Sequence, residues 1–235
     1  MNSQVRMVVF DMAGTTVDED NVVYKTIQKA LAHYDHIFTL DQVLTYCAGK
    51  EKRTAIIDIL TNLEGKDINP IHVDSIFDYF KSELKTAYLE MEVKTFDHTL
   101  EVFQKLKDAS ILVVLNTGYD RATATGLLSK MNWSEGVDYD FLVTADDVVL
   151  GRPNPDMIQL AMHKGGVTDP KQVVKVGDSC IDIEEGKAAG CIYSIGITSG
   201  AQPKEELALA NPDYIIDSLV ELESILGLSV GNYAV

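Results

Sequence analysis

Asp11 closes the apolar run Val8-Val9-Phe10, and a carboxylate so placed can ligate a hard cation or attack an electrophilic phosphorus. Three more polar groups follow apolar runs in the same way. Asn116-Thr117-Gly118 come after residues 111–115, Gly151-Arg152-Pro153 after the segment that follows 141–144, and Gly177-Asp178, with Asp182 beyond, after 173–176. Two or three carboxylates, a hydroxyl and one fixed cation suit phosphoryl chemistry. Asp11 and Asp178 can share magnesium, which binds through one or two carboxylates and substrate oxygens. The metal lowers the repulsion between an attacking carboxylate at Asp11 and an anionic substrate. Thr117 and neighbouring N–H groups can hold equatorial oxygens, and Arg152 can neutralise charge that grows in the transition state. A lone Asp after a strand is commonly a turn former or a cap, and Thr117 could cap the helix that follows it. Four coincident positions favour the chemical reading. Asp182 either supports Asp178 and the metal or is an exposed first-turn acid that favours the helix dipole.

The elements that must carry these residues are of two kinds. Residues 5–10 form a continuous apolar run followed at once by the turn residues Ala13-Gly14-Thr15-Thr16, which reads as a buried strand. From about 21 to 92 the spacing turns helical, with four amphipathic segments around Ile27, Val43, Ile56 and Phe80 and no strand. Beyond that, short Val/Ile runs alternate with helices at about 100–107, 122–130, 155–164, 181–189 and 204–210. Such alternation predicts an α/β fold with a parallel sheet covered on both faces. The sheet takes in residues 5–10, so 1–19 plus 94–235 form the core and 20–93 a helical insertion. In open parallel sheets ligands bind beyond the carboxyl ends of the strands, where the four polar groups lie.

Composition narrows the partners. A net charge of −16 works against nucleic acid and anionic lipid, because binding to either draws on clustered Lys and Arg. The same charge obliges any phosphate site to rely on a local metal and local cations. No apolar run of about 18 residues appears, so no membrane span is expected. Cys47, Cys180 and Cys191 are an odd number without metal-ligand spacing and fit reduced thiols, and with no export signal at the start the expected location is cytoplasmic.

DMAGTTVDE at 11–19, LNTGYDR at 115–121, GRPNP at 151–155 and KVGDSCIDIEEG at 175–186 together resemble the haloacid dehalogenase superfamily and, within it, the phosphonatase branch. The motifs stand in the family's order and span nearly the whole chain. The resemblance implies a hydrolase with a Rossmann-like core and a helical cap inserted after the first motif. It also implies an aspartyl nucleophile at Asp11 and magnesium held by Asp11, the carbonyl of Ala13 and Asp178.

Most phosphatases of the superfamily carry a second Asp two residues after the nucleophile, which protonates the leaving alkoxide. Ala13 stands there instead, as in phosphonatases, and Arg152 stands where relatives commonly have Lys. In phosphonatase a cap lysine replaces the missing acid by forming a Schiff base with phosphonoacetaldehyde, so that carbon leaves as an enamine. Gly49 in AGKEKR places the corresponding residue at Lys52, although Ala48 and Ala55 occupy the family's Met and His positions. Lys52 therefore has two readings, covalent amine or plain anion binder within the basic cluster Lys50, Lys52 and Arg53. Gly118, Tyr119 and Asn21 are expected to line the same cleft. The expected substrate is a small phosphono or phosphorylated metabolite. Phosphomonoester cleavage of the phosphoglycolate phosphatase type stays open, as does a homodimer. A non-catalytic binding protein on the same fold is disfavoured by the joint presence of Asp11, Thr117, Arg152 and Asp178.

Overall fold

The computed structural model describes residues 5–65 and 69–228, so the outer ends of the expected core, 1–4 and 229–235, lie outside the described residues. Strand β1 (Met7–Asp11) is buried along its whole length, as a continuous apolar run requires of a strand covered on both sides. It pairs in parallel with β4 (Leu112–Thr117) on one side and β6 (Val173–Gly177) on the other. With β5 (Phe141–Thr144), β7 (Tyr193–Ile197) and β8 (Tyr214–Ile216) they form a six-stranded parallel sheet in the order β5-β4-β1-β6-β7-β8. β1 opens at Met7 rather than at residue 5, since pairing with Leu112 and Val173 begins there, and it runs on to Asp11 because that residue pairs with Asn116.

Alternation along β1 divides the core. Val8 and Phe10 face one hydrophobic cluster with α5 (Thr99–Asp108), α6 (Arg121–Lys130) and α10 (Glu221–Leu226). Met7 and Val9 face another with α7 (Asp156–Gly165), beside which packs α8 (Cys180–Ala189). Phe10 meets Phe103 of α5 with ring centroids 5.0 Å apart. The short helix α9 (Lys204–Leu207) lies against β7. Two-residue strands β2 (Val17–Asp18) and β3 (Lys94–Thr95) pair antiparallel, and four helices lie between them. They are α1 (Val22–His33), α2 (Leu40–Cys47), α3 (Lys52–Glu64) and α4 (Pro70–Glu90). Thr39 and Gln42 form a capping box on α2, Glu51 caps α3, and Asn69 caps α4 with Pro70 at its first position. β2, β3 and β8 are absent from the sequence expectation, being too short to show a period. Among the described residues no helix is long and apolar enough to cross a membrane.

Phe103→Ala should cost about 3–5 kcal/mol, because its buried ring packs against both Phe10 and Trp133. Urea denaturation measures the loss, and a cost below about 1 kcal/mol would show that this cluster is not the core of the sheet's α5 face.

Candidate active site

Parallel register assembles the site. Val9 pairs with Lys175 and Asp11 with Asn116, so these polar side chains share one face of the sheet at its carboxyl end. Helix α8 begins just beyond β6 and presents Asp182 and Glu185, one turn apart, to that face. Arg152 enters from the loop before α7 and ties the group together. Its Nη1 donates to Asp11 Oδ1 at 2.6 Å and lies 2.9 Å from Asp182 Oδ1. Its Nη2 donates to the Asn116 carbonyl at 2.8 Å and to that residue's side-chain oxygen, and its Nε is 3.0 Å from Glu185 Oε2. Lys175, fully buried, lies 3.0 Å from Asp182 and 3.2 Å from Glu185 and donates to Asn116 Oδ1. Asn116 in turn donates to both oxygens of Glu185.

Asp178 stands on the open side of this network. Its Oδ2 accepts from Ala201 N at 2.6 Å, and Gly14, in a left-handed conformation with φ 79°, passes so close that a Cβ there would lie 2.3 Å from that oxygen. Carboxylate oxygens of Asp11, Asp178 and Asp182 lie within 4.8 Å of one another. Four buried carboxylates (Asp11, Asp178, Asp182, Glu185) face two buried cations (Arg152, Lys175), which leaves two formal negative charges. Burial raises Asp178 well above the ordinary carboxylate range, and repulsion from Asp11 and Asp182 adds to it. Asp11 is raised by burial too, against the opposing pull of Arg152. Asp182 behaves differently: burial acts against its ionised form, but Arg152, Lys175 and the hydroxyl of Ser179 together hold it below the usual range. Asp178, which has no ion pair among the described residues, and Asp11, which shares Arg152 with Asp182 and Glu185, are the donor set a hard divalent ion fits.

A cavity of about 20 Å³, room for roughly one water, is lined by Asp11, Ala13, Lys52, Thr117, Gly118, Tyr119, Arg152 and Asp178, together with Tyr24 and Gly49. Asn21, expected in the same cleft, is not among the residues that line this cavity: it takes a left-handed conformation at the start of α1, and Tyr24, one turn on, lines the cavity. Thr117 does not cap α6. That cap is Asp120, while the Thr117 hydroxyl accepts from Tyr119 N at 3.2 Å. Asp182 is fully buried and so is not an exposed first-turn acid.

Lys50, Lys52 and Arg53 do not behave as one basic cluster. Lys50 pairs with Asp58 at 2.6 Å and Arg53 with Asp74 at 2.8 Å, both on the outside. Lys52, at 9% exposure, turns inward as the first residue of α3. Its Nζ donates to the Lys50 carbonyl at 2.8 Å and lies 5.2 Å and 5.8 Å from the ring centres of Tyr24 and Tyr119. Burial lowers its pKa, and a helix N-terminus likewise disfavours positive charge. Gly49, at φ 71°, lets this turn reach the core, since a Cβ there would lie 2.5 Å from Ser179 Oγ.

Several site residues escape a sequence reading. Lys175 interrupts the Val-rich β6, a signal that could have marked it, and Glu185 lies on the face of Asp182. Asn116 stands in a polar group that follows an apolar run, although nothing in that position assigns it a role, and Tyr24 and Tyr88 carry no such mark. Glu19, between Asp18 and Asp20, looks solvent-facing yet is 2% exposed. Its Oε2 accepts from Val23 N at 3.1 Å and from the Tyr88 hydroxyl at 3.4 Å.

A six-stranded parallel sheet with a helical insertion and clustered acids at strand ends defines a class, and a family model described as haloacid dehalogenase-like hydrolase matches residues 8–195. The chain belongs to that family. Within it, the chain is 32% identical over 174 residues to a phosphonoacetaldehyde hydrolase of Latilactobacillus sakei, a match covering 64% of each chain, just under two thirds of that relative. It is also 26% identical over 232 residues to the pyrophosphatase PpaX of Bacillus velezensis, covering 97% of this chain and 99% of the relative. Among solved structures, a phosphonoacetaldehyde hydrolase-like protein from Oleispira antarctica superposes with a TM-score of 0.81 at 24% identity, over 96% of this chain and 92% of the other, a likeness of fold.

Two outcomes follow from the buried charges. Saturating magnesium should raise thermal stability, by about 2.7 kcal/mol at a hundredfold excess over Kd, and Asp178→Asn should lose most of that gain in calorimetry. An equal gain in the variant would exclude Asp178 as a ligand. Burial pushes the Glu19 carboxyl from 4.5 up to about 8, so its stabilising contribution is complete below pH 4.5 and is lost as pH rises through 8. Glu19→Gln should therefore gain on wild type across that interval, on the order of a few kcal/mol. Parallel stability curves for the two proteins would contradict the burial of a titrating Glu19.

Proposed function

We propose that this chain is a magnesium-dependent hydrolase that cleaves a small phosphono metabolite through an aspartyl-phosphate at Asp11, with Lys52 as a covalent amine. Residues 20–93 act as a cap over a core of 1–19 and 94–235. The observation that carries the reading is Lys52: its amine is buried between two tyrosine rings in the cavity that also holds Asp11, while its basic neighbours pair with acids on the outside. A lysine recruited only to bind anions gains from staying charged. Burial and the start of a helix both make it easier for the ammonium to give up a proton and become the neutral nucleophile.

Asp11, the Ala13 carbonyl and Asp178 would hold magnesium, which would supply charge neutralisation between nucleophile and phosphoryl group. Arg152 orients the Asp11 carboxylate through Oδ1, leaving the other oxygen for attack. Thr117 and Gly118 bind the phosphoryl oxygens, and Tyr119 walls the leaving-group side. Asp182 acts through Arg152 and Lys175, fixing the guanidinium that fixes the nucleophile. When Lys52 condenses with a substrate aldehyde, the iminium draws in the electron pair of the C–P bond as Asp11 attacks, and an enamine departs. No carboxylate at position 13 is then needed. A wider cavity of about 680 Å³ shares Lys52, Gly118 and Tyr119 with this site and gives a substrate room beside it, and the β2–β3 ribbon at 17–18 and 94–95 is the natural hinge of the cap.

A second reading, O–P cleavage, is favoured by the full-length similarity to a pyrophosphatase. With Ala13 in place of an acid, it requires a leaving group that is itself a weak base.

Asp11→Asn should lower phosphate release by on the order of a thousandfold or more while leaving the fold intact; undiminished turnover would remove the proposal. Borohydride with phosphonoacetaldehyde should leave a reduced adduct on wild type and none on Lys52→Ala. Absence of adduct on both, with phosphate still released from esters or anhydrides, would select the second reading.

A further inference from the structure

The proposed chemistry at Lys52 moves protons, and the cavity offers few groups to carry them. Asp11 and Asp178 are the nucleophile and the metal donors, Arg152 is fixed by carboxylates, and the Tyr24 hydroxyl, which accepts from Gly49 N at 3.2 Å, keeps its own proton but is joined by that bond to backbone and not to an acid that could store one. Ala13 and Ala55 hold no proton. The Tyr119 hydroxyl leads elsewhere. It lies 2.9 Å from that of Tyr88 on α4, which lies 3.4 Å from Glu19 Oε2. A single tyrosine O–H cannot donate to both neighbours at once. Either Tyr88 donates to a Glu19 carboxylate while accepting from Tyr119, or a protonated Glu19 donates to Tyr88, which donates to Tyr119, whose own proton is then free for another acceptor; Tyr119 lines the cavity, and its ring centre is 5.8 Å from Lys52 Nζ. Passing from one arrangement to the other shifts one proton along the chain, and both use the same atoms at the same distances.

We propose that Glu19 is the proton store of this site, exchanging protons with the group on Lys52 through the hydroxyls of Tyr88 and Tyr119. This rests on Lys52 acting as a covalent amine. Condensation converts the Lys52 ammonium and an aldehyde into an iminium and water, so two protons must pass from nitrogen to the carbonyl oxygen. The first leaves as the C–N bond forms and is returned to the oxygen of the carbinolamine. The second leaves nitrogen as the C–O bond breaks and departs with the water, while nitrogen's lone pair makes the C=N bond and keeps the positive charge. The Glu19 carboxylate accepts and returns each proton and ends unchanged.

Its surroundings suit the task. Glu19 is sealed from solvent and faces Tyr88 of α4, Lys52 of α3 and the backbone N–H groups at the start of α1. Lys52 faces Cys47, Asp11, Arg152 and Glu19. Burial brings the carboxyl up to about 8 and brings the amine down toward it, which eases transfer between them, whereas burial pushes Cys47 to about 12 and both tyrosines well above their usual range. The tyrosines therefore pass protons on and do not hold charge.

The test follows reduced adduct on Lys52 over time by mass spectrometry, with phosphonoacetaldehyde and cyanoborohydride, from pH 6 to 9.5 in about half-unit steps, a range set to span the titration of a buried acid. Glu19→Gln keeps the shape and the acceptor for Val23 N; Tyr88→Phe cuts the chain without touching the carboxyl. Each should slow trapping at least about tenfold, and the double variant should be no slower than the slower single one. The limb of the wild-type pH profile that reports Glu19 should vanish in both. Trapping in wild type with unchanged rates and profile in the variants would overturn the relay and leave Lys52 standing. A uniform fall with the limb intact would overturn it as well, showing a packing role only. No adduct on wild type, or one that survives in Lys52→Ala, would defeat the covalent amine and the relay with it.

Discussion

Four carboxylates and two cations buried at the carboxyl ends of β1 and β6 leave an excess of negative charge that the protein does not neutralise by itself. Desolvated like charges a few ångströms apart are costly, and much nearby structure serves to hold them there. Arg152 and Lys175 satisfy Asp182 and Glu185, and Asn116 bridges both cations and both oxygens of Glu185. Asp178 is left without an ion pair among the described residues, and Asp11 has only a share of Arg152, both on the side of the cavity. The close passage of Gly14 and the amide of Ala201 aim Asp178 at that space. The inner half of the cluster is thus a rigid frame, and the outer half is the part with affinity to spare.

Lys52 illustrates how one turn of helix sorts three similar residues. The αL turn at Gly49 and the cap at Glu51 set the register of α3, so that Lys50 and Arg53 find Asp58 and Asp74 outside. Lys52, at the first helical position, has no such acid and lies between aromatic faces. A change of one residue in that turn would exchange the buried amine for a solvated one.

Much of this was legible in the residues. Asp11, Thr117, Arg152 and Asp178 each follow an apolar run, and the parallel sheet converts four separate strand ends into one place. Asn21 is not among the residues that line the cavity, because nearness in sequence to the first motif does not fix which way a side chain faces once α1 begins. Glu19 and Tyr88 were illegible for a different reason: 69 residues separate them, and their contact exists only because α4 returns to the hinge. An acid between two exposed acids gives no sign that its own neighbourhood is dry. Arg152 and Asp11, 141 residues apart, were paired by motif and sheet logic, which no local pattern could supply for the tyrosine chain.

The pairing of Val17 with Thr95 and of Asp18 with Lys94 has a wider implication. Where the chain leaves the sheet layer and where it comes back are adjacent rungs of one ladder, so both ends of the inserted piece are fixed at one place, and its other ties to the α/β layer, such as Tyr88 to Tyr119, are side-chain contacts. Anything closed by that clasp, whatever its length, leaves the alignment of β1 with β4 undisturbed. On the proposed reading, selectivity can drift by rebuilding the inserted piece while the carboxyl ends of the strands stay as they are, a division of labour between a part free to vary and a part that is not.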